Sequence, residues 1–286
     1  MSTVRVISRL DIKGPNLVKG IHLEGLRVLG TPEDFARYYY EAGADELIYQ
    51  DVVASLYERN SLHEFISRTA QELFVPLTVG GGLRTLDDIS AALAVGADKV
   101  SINTAALQNP QLIEQAALQF GSSTIVIAIE AIRQSDGTYL AYTDNGREHT
   151  GINAMEWARQ VEKLGAGEIL ATSVDREGTG EGFDLELTRT IAQEVSIPVI
   201  AHGGAGKVEH VSEVIRTANV DAISIASILH YEALTNVVSA NVGSQEGNTE
   251  FLKTGRTSMK FTPASIRKVK EHLTSQSIAC RIEDGL

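Results

Sequence analysis

A repeated strand, turn, helix and strand unit constrains the fold of this chain more than any other feature. In the first copy, Phe74–Ala106, an apolar run leads into Gly80-Gly81-Gly82 and then into leucines and alanines at helical spacing. The second copy, Ile197–Leu229, follows about 120 residues later with its own glycine pair, Gly203-Gly204. An internal duplication of βα units predicts a closed barrel with two-fold pseudosymmetry.

The same repeat predicts two anion sites across the mouth of the barrel. Each copy has a bare glycine backbone after its first strand and a second turn after its last strand, at Asn103-Thr104 and at Ala226-Ser227. Glycine amides and helix N-termini that converge in this way bind phosphate. We therefore expect a ligand that carries a phosphate at each end.

Length and composition favour a single α/β domain. The chain has 286 residues, 43% of them hydrophobic, which suits one (βα)8 TIM barrel of roughly 250 residues with insertions. We predict one barrel domain over residues 1–286, with an insertion at about 231–262 after strand eight. That insertion is either a surface segment or a lid whose Lys253, Arg256 and Lys260 reach an anionic ligand.

Charge and cysteine content exclude several classes of protein. The net charge is −12 and no basic run is present, so we expect no nucleic-acid partner, and backbone amides must hold most of any phosphate. The single cysteine, Cys280, cannot form an intrachain disulfide, and no signal-like or membrane-length apolar stretch occurs. We predict a soluble, cytoplasmic protein that does not contact a membrane.

The histidines carry no metal signature, because none forms an i, i+4 pair and the cysteine stands alone. We expect neither a metal nor another cofactor. His202, just before the second glycine pair, is the one histidine placed clearly at the mouth. Its position favours a hydrogen-bonding loop residue over a catalyst.

Hydrophobic periodicity gives eight strand and helix pairs, which favours the barrel over an open sheet. The first strand is predicted at Val4–Leu10. After it, Gly14–Thr31 reads as a long functional loop, and the stretch Arg133–Gly151 after strand five reads as a hairpin-like excursion.

Two carboxylates lie at the ends of opposite strands of this barrel. Asp11 ends strand one and Glu130 ends strand five, so both are expected at the mouth, midway between the two anion sites. That placement suits a general acid and a general base, although strand-end carboxylates also serve as helix caps or loop acceptors. Asp51 and the stretch Asp175–Thr179 are expected on the same rim.

The opposite end of the barrel carries four charges of alternating sign. Arg5, Glu46, Lys99 and Glu168 each open a predicted strand. Such residues are expected to form a ring of ion pairs at the amino-terminal face. The ring is either a structural plug or a gate to a passage through the barrel.

Taken together, these motifs resemble one enzyme family over nearly the whole chain. The segments RLDIK, GADELIYQD, VPLTVGGGLR, GADKVSIN, GAGEILATSVDREGTGEGFDLEL and IPVIAHGGAGKVEH are similar to landmarks of the cyclase subunit of imidazole glycerol phosphate synthase, in histidine biosynthesis. The resemblance implies a (βα)8 barrel that forms a heterodimer with a glutaminase at its amino-terminal face. Ammonia from that partner would pass the gate and give imidazole glycerol phosphate and an aminoimidazole carboxamide ribotide.

The resemblance also implies which residues bind the bisphosphorylated ribulosyl aminoimidazole carboxamide substrate, with Asp11 and Glu130 as the catalytic pair. The implied binding residues are Lys19, Asp51, Gly82, Asn103, Thr104, Glu177, Gly178, Gly204, Ala226 and Ser227.

Three departures from the family pattern matter. Position 130 is normally Asp, position 9 is normally a small Cys, and the usual member lacks the 231–262 insertion. A buried Arg9 needs a carboxylate partner, and we expect Glu130 to pair with it, or Asp51 to link the two; pairing with Arg9 would lower the pKa of Glu130. The alternatives are a paralogue that conducts ammonia to another acceptor, such as a sugar of surface polysaccharide, or a silent activator of the glutaminase.

Overall fold

Eight parallel strands close into a barrel in the computed structural model, which describes residues 3–54, 63–237 and 261–282. The (βα)8 fold predicted from the repeat is confirmed. The barrel strands, in spatial order, are β1 (Arg5–Lys13), β4 (Glu46–Asp51), β5 (Leu77–Gly80), β6 (Lys99–Ile102), β7 (Ile125–Arg133), β10 (Glu168–Ser173), β11 (Val199–His202) and β12 (Ala222–Ile225), and β12 pairs with β1.

Two antiparallel hairpins extend the barrel at related positions. The hairpin of β2 (Asn16–Ile21) and β3 (Glu24–Gly30) pairs with β1, and that of β8 (Tyr139–Thr143) and β9 (Glu148–Asn153) pairs with β7. The second confirms the predicted excursion. The prediction of a loop over Gly14–Thr31 was wrong in its local structure, because an extended β1 offers free backbone groups with which the returning chain pairs.

Helices cover the outside of the barrel and begin at recognisable caps. Thr85 and Asp88 form a reciprocal capping box, and Asn153, Asp184 and Ser265 each accept backbone N–H groups at a helix start. The helices are α1 (Pro32–Glu41), α2 (His63–Glu72), α3 (Leu86–Ala94), α4 (Thr104–Gln108), α5 (Gln111–Phe120), α6 (Ala154–Lys163), α7 (Leu185–Glu194), α8 (Val208–Ala218), α9 (Ser227–Ala233) and α10 (Ile266–Ser275), with a 3-10 turn at Ser122–Thr124.

The apolar residues form one core between the sheet and the helices and a smaller one inside the barrel. Trp157, Phe35 and Tyr39 are among the largest side chains of the outer core. The inner cluster consists of Ile7, Ile48, Val126, Ala128, Leu170, Ile200 and Ala222. Because inward side chains alternate with outward ones, these residues identify which positions of each strand face the barrel interior.

The insertion predicted at 231–262 lies mostly outside the described residues, as do Lys253, Arg256 and Lys260. Its first residues are helical, since α9 runs to Ala233; sequence periodicity missed this helix because it is short. The single-domain prediction therefore stays a prediction. Within the described ranges, no helix is long and apolar enough to cross a membrane.

Candidate functional site

Four charged side chains form a closed ring at the amino-terminal end of the barrel. Arg5 Nη1 donates to Glu46 Oε2 at 2.8 Å and Arg5 Nη2 pairs with Glu168. Lys99 Nζ lies 3.0 Å from Glu46 Oε2 and 3.1 Å from Glu168 Oε2. Each glutamate therefore contacts both cations. The two carboxylates are buried, and the two cations are partly exposed. The predicted ion-pair ring is present, and its role as a gate stays a prediction.

Above this ring the strand register stacks inward side chains in levels, as in other barrels of this geometry. Aliphatic residues occupy most of the next two levels. The level after them holds Arg9, Gly80, Ala128 and His202, contributed by four alternate strands. Two large side chains fit there because the other two are glycine and alanine. Asp11 and Glu130 lie two residues further along β1 and β7, at the mouth.

Arg9 pairs with Asp11. Its Nε donates to Asp11 Oδ1 at 2.8 Å, and both side chains are almost completely buried. The expected pairing of Arg9 with Glu130 was wrong, because the nearer carboxylate is two residues along the same strand, on the same inward face. Burial opposes ionisation of Asp11, but Arg9 and then Lys19 more than offset it, and the pKa of Asp11 is lowered.

Glu130 has the opposite electrostatic environment. Burial raises its pKa to about 7, although the charge of Arg9 and the Gly146 N–H, which donates to Oε2 at 3.0 Å, both oppose this shift. A lowered pKa of Glu130 was expected only if Glu130 paired with Arg9; without that pairing the charge of Arg9 opposes the upward shift but does not reverse it. A charge without a direct hydrogen bond does not outweigh complete burial. At neutral pH this carboxyl group can hold or release a proton.

The first half of the mouth encloses a cavity of about 260 Å³. Its lining includes the predicted residues Asp51, Gly82, Asn103, Thr104 and Glu130, together with Arg9. Arg84 also lines it and donates from Nη2 to the Ala54 carbonyl oxygen at 2.8 Å. Sequence reasoning missed Arg84, although its place directly after the glycine triplet was a usable signal.

Two backbone features repeat across the mouth. Gly81 and Gly203 have φ of +97° and +96°. A Cβ at either position would collide with the carbonyl oxygen of the last residue of the neighbouring strand, β4 or β10. Asn103 and Ala226 precede α4 and α9 with nearly equal φ and ψ, −123° and −81° against −124° and −76°, and neither helix start has a side-chain cap. Backbone amides are therefore directed at the mouth in both halves.

In the second half, the β2–β3 hairpin contacts the loop that follows β10. Lys19 pairs with Glu177 in a buried ion pair and also donates to the Gly20 carbonyl oxygen at 3.1 Å. Gly178 lies against Gly20 so closely that a Cβ would collide with its oxygen. The structure thus brings Lys19, Glu177 and Gly178 together. Gly204, Ala226 and Ser227 lie at the ends of β11 and β12.

Each hairpin reaches across to the opposite half. His22 Nδ1 donates to the Val174 carbonyl oxygen at 2.9 Å, and Asn145 Nδ2 donates to the Val52 carbonyl oxygen. Val174 follows β10 and Val52 follows β4, so the two contacts are related by the pseudosymmetry. The sequence placed Asn145 only within the predicted excursion Arg133–Gly151 and gave it no contact. The signal was the left-handed conformation of both residues, φ +53° and +58°, which only a structure provides.

A closed (βα)8 barrel whose mouth holds two buried carboxylates of unequal pKa between repeated turns is typical of an enzyme active site. The family model described as histidine biosynthesis protein matches residues 5–235. The chain is 60% identical over 209 residues to imidazole glycerol phosphate synthase subunit HisF of Legionella pneumophila, covering 73% of this chain and 99% of that protein.

Two further imidazole glycerol phosphate synthase subunits named HisF are also similar to this chain. The one from Saccharolobus solfataricus is 49% identical over 80% of this chain and 91% of its own length. The one from Trichormus variabilis is 46% identical over 82% and 93%. This chain belongs to the histidine biosynthesis family of HisF cyclase subunits, and the resemblance inferred from the motifs is confirmed.

Proposed function

We propose that this chain is the cyclase of an imidazole glycerol phosphate synthase, with Asp11 and Glu130 as its catalytic pair. The observation that carries the proposal is the opposite environment of two carboxylates at one level of the mouth. Asp11, held ionised by Arg9, accepts protons, and Glu130, with a pKa of about 7, donates them. Groups whose pKa values are separated in this way divide the acid and base roles between them.

The substrate is the bisphosphorylated ribulosyl aminoimidazole carboxamide. One phosphate binds near Gly82, Asn103 and Thr104, where the cavity lies, and the other near Gly178, Gly204, Ala226 and Ser227. Backbone amides supply most of the donors, which agrees with the acidic net charge of −12. Asp51 contacts the middle of the substrate. Lys19 does so as well, once its ion pair with Glu177 opens. A two-ended ligand would then span the catalytic carboxylates.

The glutaminase partner binds the amino-terminal face, around the charged ring. Phe74 precedes β5 and Leu118 lies near the end of α5, both at this face, and both side chains are 82% exposed. Two large apolar side chains exposed at the same face support an interaction surface there, although only a contiguous patch would mark one by itself. Ammonia released by the partner enters through the ring of Arg5, Glu46, Lys99 and Glu168.

The test is product formation by the purified chain with the bisphosphorylated substrate and ammonium, followed by mass spectrometry, together with complementation of a histidine auxotroph. Product and complementation are the expected results. Substrate left intact by the folded protein, with no complementation, contradicts the assignment and favours conduction of ammonia to another acceptor.

The partner surface has its own test. Phe74→Asp should prevent co-elution with a cognate glutaminase in gel filtration. The matched control is Ile21→Asp, because Ile21 is also an exposed apolar residue (49% exposed) but lies at the opposite end, at the mouth. This control should still co-elute. Lys99→Ala should leave the complex intact but release ammonia without use in cyclisation. Normal coupling in Lys99→Ala contradicts the gate.

A further inference from the structure

His202 is a buried acceptor inside the barrel for which the catalytic scheme has no use. It is 4% exposed, and it faces inward because Ile200, two residues earlier on β11, belongs to the inner apolar cluster. His202 Nδ1 lies 3.0 Å from the Ser224 carbonyl oxygen. A carbonyl oxygen can only accept, so Nδ1 carries the hydrogen and Nε2 presents a lone pair.

That lone pair is unsatisfied. Nε2 is buried and has no hydrogen-bond partner within the described residues. A buried polar atom without a partner is destabilising, so such atoms commonly mark a bound polar molecule. The pKa of His202 falls to about 3, because of its burial and then the charge of Arg9, so the imidazole stays neutral.

The position of His202 indicates what that molecule is. Arg9, Gly80, Ala128 and His202 form the level between the aliphatic levels and the catalytic carboxylates. Anything that travels from the charged ring to the mouth crosses this level. Further inward-facing polar atoms without described partners lie at the adjacent levels or at this one, namely Ser101 Oγ, Ser224 Oγ, Thr172 Oγ1 and Arg9 Nη2.

We propose that His202 Nε2 is a positioning acceptor for ammonia on its way to the mouth. It accepts one N–H of ammonia, so the nitrogen lone pair stays free for addition to the substrate. The Arg9 guanidinium at the same level is paired with Asp11, so the neutral Nε2 of His202 remains as an acceptor at this level. This inference rests on the proposed function of the barrel as an ammonia conduit.

The test compares two variants in the complex with the glutaminase. His202→Phe keeps a flat ring but has no acceptor, whereas His202→Gln can donate to the Ser224 carbonyl oxygen and accept from ammonia. We expect product formed per glutamine hydrolysed to fall about fivefold to tenfold in His202→Phe and to recover in His202→Gln, with ammonium-driven cyclisation unchanged in both. The control is Ser8→Ala, which removes a buried hydroxyl on the outward side of β1 that has no hydrogen-bond partner in the described part of the chain. This change should not alter coupling.

Equal coupling in wild type and His202→Phe, or equal loss in Phe and Gln variants, overturns the proposal. So does a parallel loss of ammonium-driven activity, which would place His202 in the catalytic reaction itself.

A second measurement does not depend on cyclisation, so it distinguishes failure of this proposal from failure of the proposed function. In protein labelled with ¹⁵N-histidine, the Nε2 resonance of His202, assigned by its absence in His202→Phe, should move as ammonium chloride is added at alkaline pH and stay fixed with sodium chloride. A resonance unmoved by ammonia overturns the proposal.

Discussion

The two halves of the barrel share a backbone plan and differ in a few inward side chains. In each half, a glycine with positive φ follows the third barrel strand, and a short helix without a side-chain cap follows the fourth barrel strand. Each half also has a hairpin that contacts the opposite half. Below the carboxylates, however, the first half has Arg9 and Gly80, whereas the second has Ala128 and His202.

This difference separates the two carboxylates chemically. Arg9 extends from β1 and gives Asp11 a direct ion pair, while Ala128, at the related position of β7, gives Glu130 none. A symmetric backbone can bind a ligand with two similar ends. An asymmetric reaction between those ends needs unequal side chains, and the direct ion pair of Arg9 with Asp11 is one source of that inequality.

The largest expected effect comes from neutralising each carboxylate. Asp11→Asn and Glu130→Gln should each reduce cyclase activity by about 10²- to 10⁴-fold. Only Asp11→Asn should also lower the free energy of unfolding, by about 3–5 kcal/mol, because it leaves the Arg9 charge buried without its partner. Ammonium-driven turnover and urea unfolding measure the two effects. Equal destabilisation by both variants would show that the halves are not electrostatically different.

The pH dependence of stability should differ in sign between the halves. The folded pKa of Glu130 is about 7, above its ordinary value of 4.5, so its stabilising contribution is complete below about pH 4.5 and is lost as pH rises through 7, by about 3 kcal/mol. The lowered pKa of Asp11 acts oppositely and only in acid. Buried His202, whose pKa falls to about 3, has the opposite pH dependence below about pH 6.5, so the Glu130 contribution is measured as a difference between proteins. In urea unfolding between about pH 5 and pH 8, the slope of stability against pH should become more positive in Glu130→Gln than in wild type and stay as in wild type in Asp11→Asn. A slope unchanged in Glu130→Gln would assign it to another group.

The smallest effect concerns the crossed hairpins. His22→Ala and Asn145→Ala each remove one hydrogen bond worth about 1 kcal/mol. Hydrogen exchange should accelerate near Val174 in the first variant and near Val52 in the second, each in the half opposite the mutated hairpin. Faster exchange confined to the half that carries the mutation would contradict the crossed arrangement.

The sequence alone predicted the barrel, the repeat, the charged ring and several residues of the first cavity. These features depend on hydrophobic period, glycine spacing and strand-end position, all of which are local or repeat along the chain. The family resemblance added the reaction. Gly82, Asn103 and Thr104 line one cavity because each lies within two residues of the end of a barrel strand; that they bind phosphate stays a prediction.

Only the tertiary structure decided how the charges pair and where the hairpins reach. Arg9 had several candidate carboxylates, and side-chain geometry selected Asp11 over Glu130. Burial then determined the pKa of Glu130, and burial depends on every element packed around a residue and not on its neighbours in sequence. The contacts of His22 and Asn145 join residues far apart in the chain, and no local pattern records such contacts.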